Sequence, residues 1–93
     1  MTRYLIEVPH ENNKEACERA IRVFLETGSH FMTNADWGCS DDVHKAWLTV
    51  EVDSKEDARS ILPPLFRQVA TITAIQRFRR EDIEETKKAH HGD

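Results

Sequence analysis

Three side chains that could bind a metal ion or move a proton stand close to predicted turns. His10 follows an extended segment, while Cys39 and His44 lie on either side of the acidic pair Asp41-Asp42. Imidazole and thiolate are ligands that Zn²⁺ and other borderline metals prefer. The spacing Cys39-x4-His44 lets two ligands of one hairpin converge, with His10 as a third from a neighbouring loop. The pattern predicts a metal site at His10, Cys39 and His44, in which Asp41 or Asp42 could orient an imidazole.

The same cluster has other interpretations. Histidine titrates near neutral pH, so His10 or His44 could act as a catalytic acid or base. Cys39 could be a catalytic nucleophile if its pKa were lowered, although the two acidic neighbours disfavour a thiolate. Short patterns of this kind also occur in solvated turns without any function. The sequence leaves open whether the cofactor is Zn²⁺, another divalent metal or none, and whether the protein is an enzyme.

The second cysteine lies on the apolar stripe of a predicted helix. Cys17 shares that stripe with Ala16 and Ala20, which favours a role as a small buried hydrophobe. A Cys17–Cys39 disulfide stays open, but the reducing cytoplasm predicted below makes it unfavourable. His30 is interpreted as a hydrogen-bonded strand residue, and His90 and His91 as part of a charged tail.

The elements that must position these residues follow from hydrophobic periodicity. Alternation predicts strands, and Pro9 ends the first of them. Asn12 with Glu15, and Ser54 with Asp57, have the spacing of helix N-caps. Gly28 fits the left-handed position that closes a helix. The predicted order is a strand from Arg3 to Val8, a helix from Asn12 to Thr27, strands from His30 to Trp37 and Lys45 to Val52, a helix from Ser54 to the Pro63-Pro64 stop, and a strand from Val69 to Ile75.

This β-α-β-β-α-β order predicts an α+β, ferredoxin-like fold. Two right-handed crossovers place both helices on one face of a four-stranded antiparallel sheet. The first strand then ends at the edge where the second turns into the third, which brings His10 toward Cys39 and His44. Residues 1–79 are predicted to form this domain and residues 80–93 a charged tail, with a short helix from about Arg80 to Ala89.

The sheet face without helices is predicted to carry an apolar patch that monomers seldom leave exposed. Trp47, Asp36, Glu51 and Met32 are its candidate ligand-binding residues, and Trp47 is also the candidate anchor of a homodimer. The apolar members of the face are Leu5, Met32, Trp47 and Ile75, and the polar members are Glu7, Asn34, Asp36, Thr49, Glu51 and Thr73.

The order and lengths of the elements over residues 3–78 resemble the dimeric α+β barrel superfamily, which includes muconolactone isomerases and antibiotic-biosynthesis-type monooxygenases. The segment from Trp47 through Pro63-Pro64 to Ile75 is similar to that of small uncharacterised bacterial proteins of this group. The resemblance implies a homodimer with a small-molecule cavity. It carries over no catalytic residue, because no motif of a named enzyme family matches. A binding module for a small ligand or metal and a cofactor-independent isomerase or monooxygenase, with His10, His44, Asp36 or Glu51 as base, are both open.

Composition limits the other classes of function. A chain of 93 residues that is 39% hydrophobic can form one domain with a single core. With 13 basic and 17 acidic residues, the net charge of −4 argues against nucleic-acid or membrane-surface partners. No apolar run approaches the length of about 20 residues that a membrane helix needs. Two cysteines in an ordinary composition predict a cytoplasmic protein.

Overall fold

The computed structural model describes residues 1–27 and 29–83, and this part of the chain is an α+β domain. Residues 80–83 are also helical. The predictions for Gly28, His90 and His91, and most of the predicted C-terminal helix, lie outside the described residues. The elements in chain order are β1 (Thr2–Pro9), α1 (Lys14–Glu26), α2 (His30–Thr33), β2 (Asp36–Trp37), a 3₁₀ turn (Cys39–Asp41), β3 (Lys45–Val52), α3 (Lys55–Ile61), α4 (Pro64–Arg67) and β4 (Thr71–Ile75).

The four strands form one antiparallel sheet in the order β2-β3-β1-β4. The central strands β1 and β3 pair along their whole length, from Thr2 opposite Val52 to Pro9 opposite Lys45. The predicted antiparallel sheet is therefore confirmed. The layout is compatible with a ferredoxin-like one, although its second strand has only two residues and residues 1–79 contain more helices than the two predicted there.

The core lies on one face of the sheet, as the alternation of β1 and β3 predicts. Along β1 the side chains of Tyr4, Ile6 and Val8 are buried, and their neighbours in sequence are more exposed. Helix α1 contributes Phe24, which is fully buried in the core cluster. Burial of this apolar face against the helices is the main source of stability in such a domain.

The ends of the helices follow local rules of chain geometry. Ser54 caps α3 by accepting a hydrogen bond from Asp57 N at 3.1 Å, as predicted. The predicted cap of the first helix is wrong by one residue, because Asn13 rather than Asn12 accepts from Ala16 N, at 2.7 Å. Pro63-Pro64 separates α3 from α4, and Pro64 occupies the first turn of α4, where its missing N–H costs nothing.

The predicted second strand from His30 to Trp37 is wrong over most of its length. His30–Thr33 is a helical turn, and only Asp36–Trp37 pairs with β3. The side chain of Asn34 favours the turn, because its Nδ2 donates to His30 O at 2.7 Å. A helical turn also directs Met32 into the core. Strand β4 likewise begins at Thr71 and not at Val69.

Met32 is a correction to the predicted binding face. The sequence placed it on the open side of the sheet, but its side chain is 1% exposed and belongs to the core cluster. The reason is that His30–Thr33 forms a helical turn, which directs Met32 toward the core, whereas the predicted strand directed it toward the open face. No helix in the described ranges is long and apolar enough to span a membrane.

Candidate metal centre

The end of β1 and the β2–β3 hairpin are held together by a backbone hydrogen bond beyond the last strand pair. Pro9 pairs with Lys45, and the next residue, His10, donates its N–H to His44 O at 3.0 Å. This bond places the two histidines side by side, and their ring centroids lie 5.6 Å apart at 90°. His10 and His44 therefore lie at the same end of the sheet, as the predicted order of strands implies.

A tight turn directs Cys39 toward the histidines. Gly38 O accepts hydrogen bonds from Asp41 N at 3.0 Å and from Val43 N at 2.9 Å, which closes the hairpin around the 3₁₀ turn. A Cβ atom at Gly38 would lie 2.7 Å from the indole ring of Trp47 and from the carbonyl oxygen of Val43. Glycine is therefore required here for close packing.

His10, Cys39 and His44 form a cluster with the dimensions of a metal site. One ligand atom from each residue lies within 4.8 Å of the other two, and all three residues are half-buried. Cys39 Sγ is 3.2 Å from His10 Nε2. Three ligands from the protein leave a fourth position of a tetrahedral metal for water or another ligand.

The Nδ1 atoms of the two histidines also point to a metal site. His10 Nδ1 and His44 Nδ1 are buried and have no hydrogen-bond partner among the described residues. The other nitrogen of His44, Nε2, lies 3.0 Å from Asp42 Oδ1. A carboxylate on one ring nitrogen fixes the proton there and leaves a lone pair on the other, which is the usual support of a metal-binding histidine.

The electrostatics favour neutral groups in the free protein. Burial, together with the neighbouring His44, lowers the pKa of His10 below the ordinary 6.5, so its imidazole is neutral at pH 7. Burial and the adjacent Cys17 thiol raise the pKa of Cys39 to about 11. Cys39 is therefore a thiol and not a nucleophilic thiolate at neutral pH, and a metal ion would have to displace its proton.

Cys17 lies in direct contact with the cluster. Its Sγ is 2.6 Å from Cys39 Sγ, and both cysteines are free thiols. The sequence placed Cys17 on the apolar stripe of the first helix as a small hydrophobe; in the structure it is half-buried and faces the hairpin. The reason is that α1 starts just beyond β1, so its first turns pack against the end of the sheet where Cys39 lies.

An aromatic side chain that the sequence analysis gave no role forms the apolar side of the cluster. Trp37 lies 5.9 Å from His10 and 4.9 Å from Phe24, measured between ring centroids. Its pairing with Ala46, a core residue, puts Trp37 on the helix-covered face. The alternation of β3 puts Ala46 on the buried face, and this pattern could have indicated that its partner Trp37 lies on the same face.

The remaining candidate ligand-binding residues do not form one site. Trp47 is half-buried and donates its indole N–H to Glu7 Oε1 at 3.2 Å, and Asp36 is exposed opposite it on β2. Glu51 lines a cleft of about 550 Å³ with Arg3 and His30. That cleft lies at the other end of β1 and β3, remote from His10 in the strand register.

Comparisons of the chain with protein-family models, with curated proteins and with solved structures found no match. Assignment of a function therefore depends on the chemistry of the site.

Proposed function

We propose that this protein binds a divalent transition metal, with Zn²⁺ as the preferred ion, through His10, Cys39 and His44. The observation that carries the proposal is the convergence of the three ligand atoms within 4.8 Å, although they come from two separate parts of the chain. Imidazole and thiolate together suit Zn²⁺ better than Ca²⁺ or Mg²⁺, which prefer oxygen ligands.

The partners of His44 support the same conclusion. Asp42 binds Nε2, so Nδ1 is the nitrogen that remains for a metal ion. A buried polar atom without a partner costs about 1–3 kcal/mol, and a metal–nitrogen bond would remove that cost. Asp42 also adopts a left-handed backbone conformation, with φ of 60°, at the end of the 3₁₀ turn, and its carboxylate lies 3.0 Å from His44 Nε2.

The alternative function, a cofactor-independent isomerase or monooxygenase, has less support. Its candidate bases lie in different surroundings, with His10 and His44 half-buried in the cluster and Asp36 and Glu51 exposed on the open face. A single general base beside a bound substrate would suffice for such an enzyme, but Asp36 and Glu51 are exposed, and His10 and His44 lie within the candidate metal cluster. Metal binding, in contrast, requires only His10, Cys39 and His44, which lie close together.

Titration with Co²⁺, followed by absorption spectroscopy, tests the proposal directly. Co²⁺ bound to thiolate gives a charge-transfer band, and we expect one equivalent per chain in the reduced protein, displaced by Zn²⁺. Cys39→Ser should lose the band, and Ser40→Ala, a change at the exposed neighbouring residue, should keep it. A reduced wild-type protein that gives no such band, or the same band after Cys39→Ser, would refute the proposed site.

We further propose that the domain has the ferredoxin-like topology and pairs as a homodimer through its open sheet face, in the manner of the dimeric α+β barrels. The strand order β2-β3-β1-β4 supports the topology. Leu5 supports the dimer, because it lies centrally on that face between Thr49 and Thr73 and is only half-buried.

Light scattering of the double variant Thr49→Arg, Thr73→Arg tests the dimer. Both threonines are exposed, so two arginines should leave the fold intact but place like charges in the contact and yield monomers. A wild-type protein that is itself monomeric at tens of micromolar would show that the open face is not a dimer interface.

A further inference from the structure

The contact between the two cysteines has a chemical consequence separate from metal binding. Cys17 Sγ and Cys39 Sγ lie 2.6 Å apart, although the residues belong to different elements, helix α1 and the 3₁₀ turn. Two thiols held this close need only a small shift to become covalently bonded, since a disulfide has sulfur atoms about 2.0 Å apart. Both residues are half-buried, so a small reagent has access to the pair.

We propose that Cys17 and Cys39 form a reversible disulfide, and that its formation excludes the metal ion from the site of His10, Cys39 and His44. The first part rests on the two cysteines alone. The second part rests on the proposed function, because it requires that Cys39 be a metal ligand. The protein would then hold its metal only in the reduced state.

The exclusion follows from the chemistry of sulfur. A metal ion binds the thiolate form of cysteine, and a sulfur atom in a disulfide has no such charge to donate. Cys39 has two competing partners, which are the Cys17 sulfur on one side and His10 Nε2, at 3.2 Å, on the other. When Cys39 is part of the disulfide, only the two imidazoles of the cluster remain as ligands. Two neutral ligands from one edge are a much weaker site for Zn²⁺ than a set of three that includes a thiolate.

Thiol–disulfide exchange with a low-molecular-weight disulfide, such as oxidised glutathione, provides a balanced route. One cysteine, as its thiolate, attacks a sulfur of the reagent, breaks the reagent's S–S bond and releases one small thiol. The other cysteine then attacks the protein sulfur of this mixed disulfide and releases the second small thiol. The two cysteines lose two protons and two electrons, and the reagent takes up both as two thiols.

Oxidation of the metal-free protein tests both parts of the proposal. After treatment with oxidised glutathione we expect both thiols to disappear together, and the intact mass to fall by two hydrogen atoms with no glutathione attached. The oxidised protein should lose the Co²⁺–thiolate band, and reduction with dithiothreitol should restore it. Protein loaded with Zn²⁺ should oxidise at least about tenfold more slowly, because the metal occupies the Cys39 thiolate.

The variant Cys17→Ser separates the two proposals. It keeps all three proposed ligands, so it should bind Co²⁺ before and after mild oxidation and should accumulate only mixed disulfides. Wild-type protein that also yields only mixed disulfides would overturn the disulfide. An internal disulfide that leaves the Co²⁺ band intact would overturn the exclusion. If the disulfide forms but neither reduced protein nor Cys17→Ser binds Co²⁺, the proposed function fails and the thiol–disulfide pair stands.

Discussion

Replacing His44 with alanine should lower the affinity of the reduced protein for Zn²⁺ by more than about 100-fold, since loss of even a group that only supports a ligand costs 10–100-fold. The side chain of His44 is only 18% exposed, but it does not belong to the hydrophobic core cluster, so the fold should survive. The bond that joins β1 to the hairpin also remains, because His44 contributes only its backbone oxygen to it. Competition between the protein and a chromophoric Zn²⁺ chelator measures the change.

A second histidine provides the matched control for this experiment. His30 is exposed and lies beside the cleft at the opposite end of the central strands, so His30→Ala should bind Zn²⁺ as the wild type does. Asp42→Ala should fall between the two variants, because Asp42 contacts His44 Nε2 without belonging to the ligand cluster. Equal affinities of His44→Ala and His30→Ala would contradict the assignment of His44 as a ligand.

Replacing Phe24 with alanine should have the largest effect on stability, a loss of about 3–5 kcal/mol in the free energy of unfolding. Phe24 is fully buried, and its ring contacts Trp37 at 4.9 Å and Phe66 at 5.4 Å between centroids. Its removal opens a cavity between helix α1 and the sheet, at the point where Trp37 supports His10. Because small domains are stable by only about 5–15 kcal/mol, this variant is expected to unfold at much lower urea concentration.

The next residue of the same helix tests whether burial is the cause. Leu25 is 56% exposed, so Leu25→Ala removes a similar apolar side chain from the same element and should change the free energy of unfolding by about 0.5 kcal/mol or less. Urea denaturation of both variants, followed by tryptophan fluorescence, gives the comparison. A Phe24→Ala loss no larger than that of Leu25→Ala would show that the core does not depend on this ring.

Much of the central sheet could be predicted because its signals are local. The alternation through Ile6 and Val8, and through Leu48 and Val50, matches the period of a strand with one buried face, and the structure confirms both strands and the face they bury. The cap at Ser54 was likewise predictable, because a capping side chain acts on a backbone group only three residues away.

The segment around Met32 could not be predicted from its own residues. A short apolar run fits a strand or a turn of helix equally well, and the choice depends on whether the core has room for the side chain. Here the core accepts Met32 from a helical turn, and the edge strand shortens to Asp36–Trp37. The predicted open-face position of Met32 failed for that reason.

For the candidate site, the residue pattern was enough to predict which residue types were available and which end of the sheet they would share. The first loop and the hairpin meet there because β1 and β3 are antiparallel neighbours, and that pairing follows from the hydrophobic pattern. The contacts of individual atoms, in contrast, depend on how the folded elements pack together. The 3.2 Å approach of Cys39 to His10 and the 2.6 Å approach to Cys17 depend on how α1 packs over the sheet and how Gly38 closes the turn. Packing of this kind is set by many weak contacts between distant parts of the chain, which no short stretch of sequence encodes.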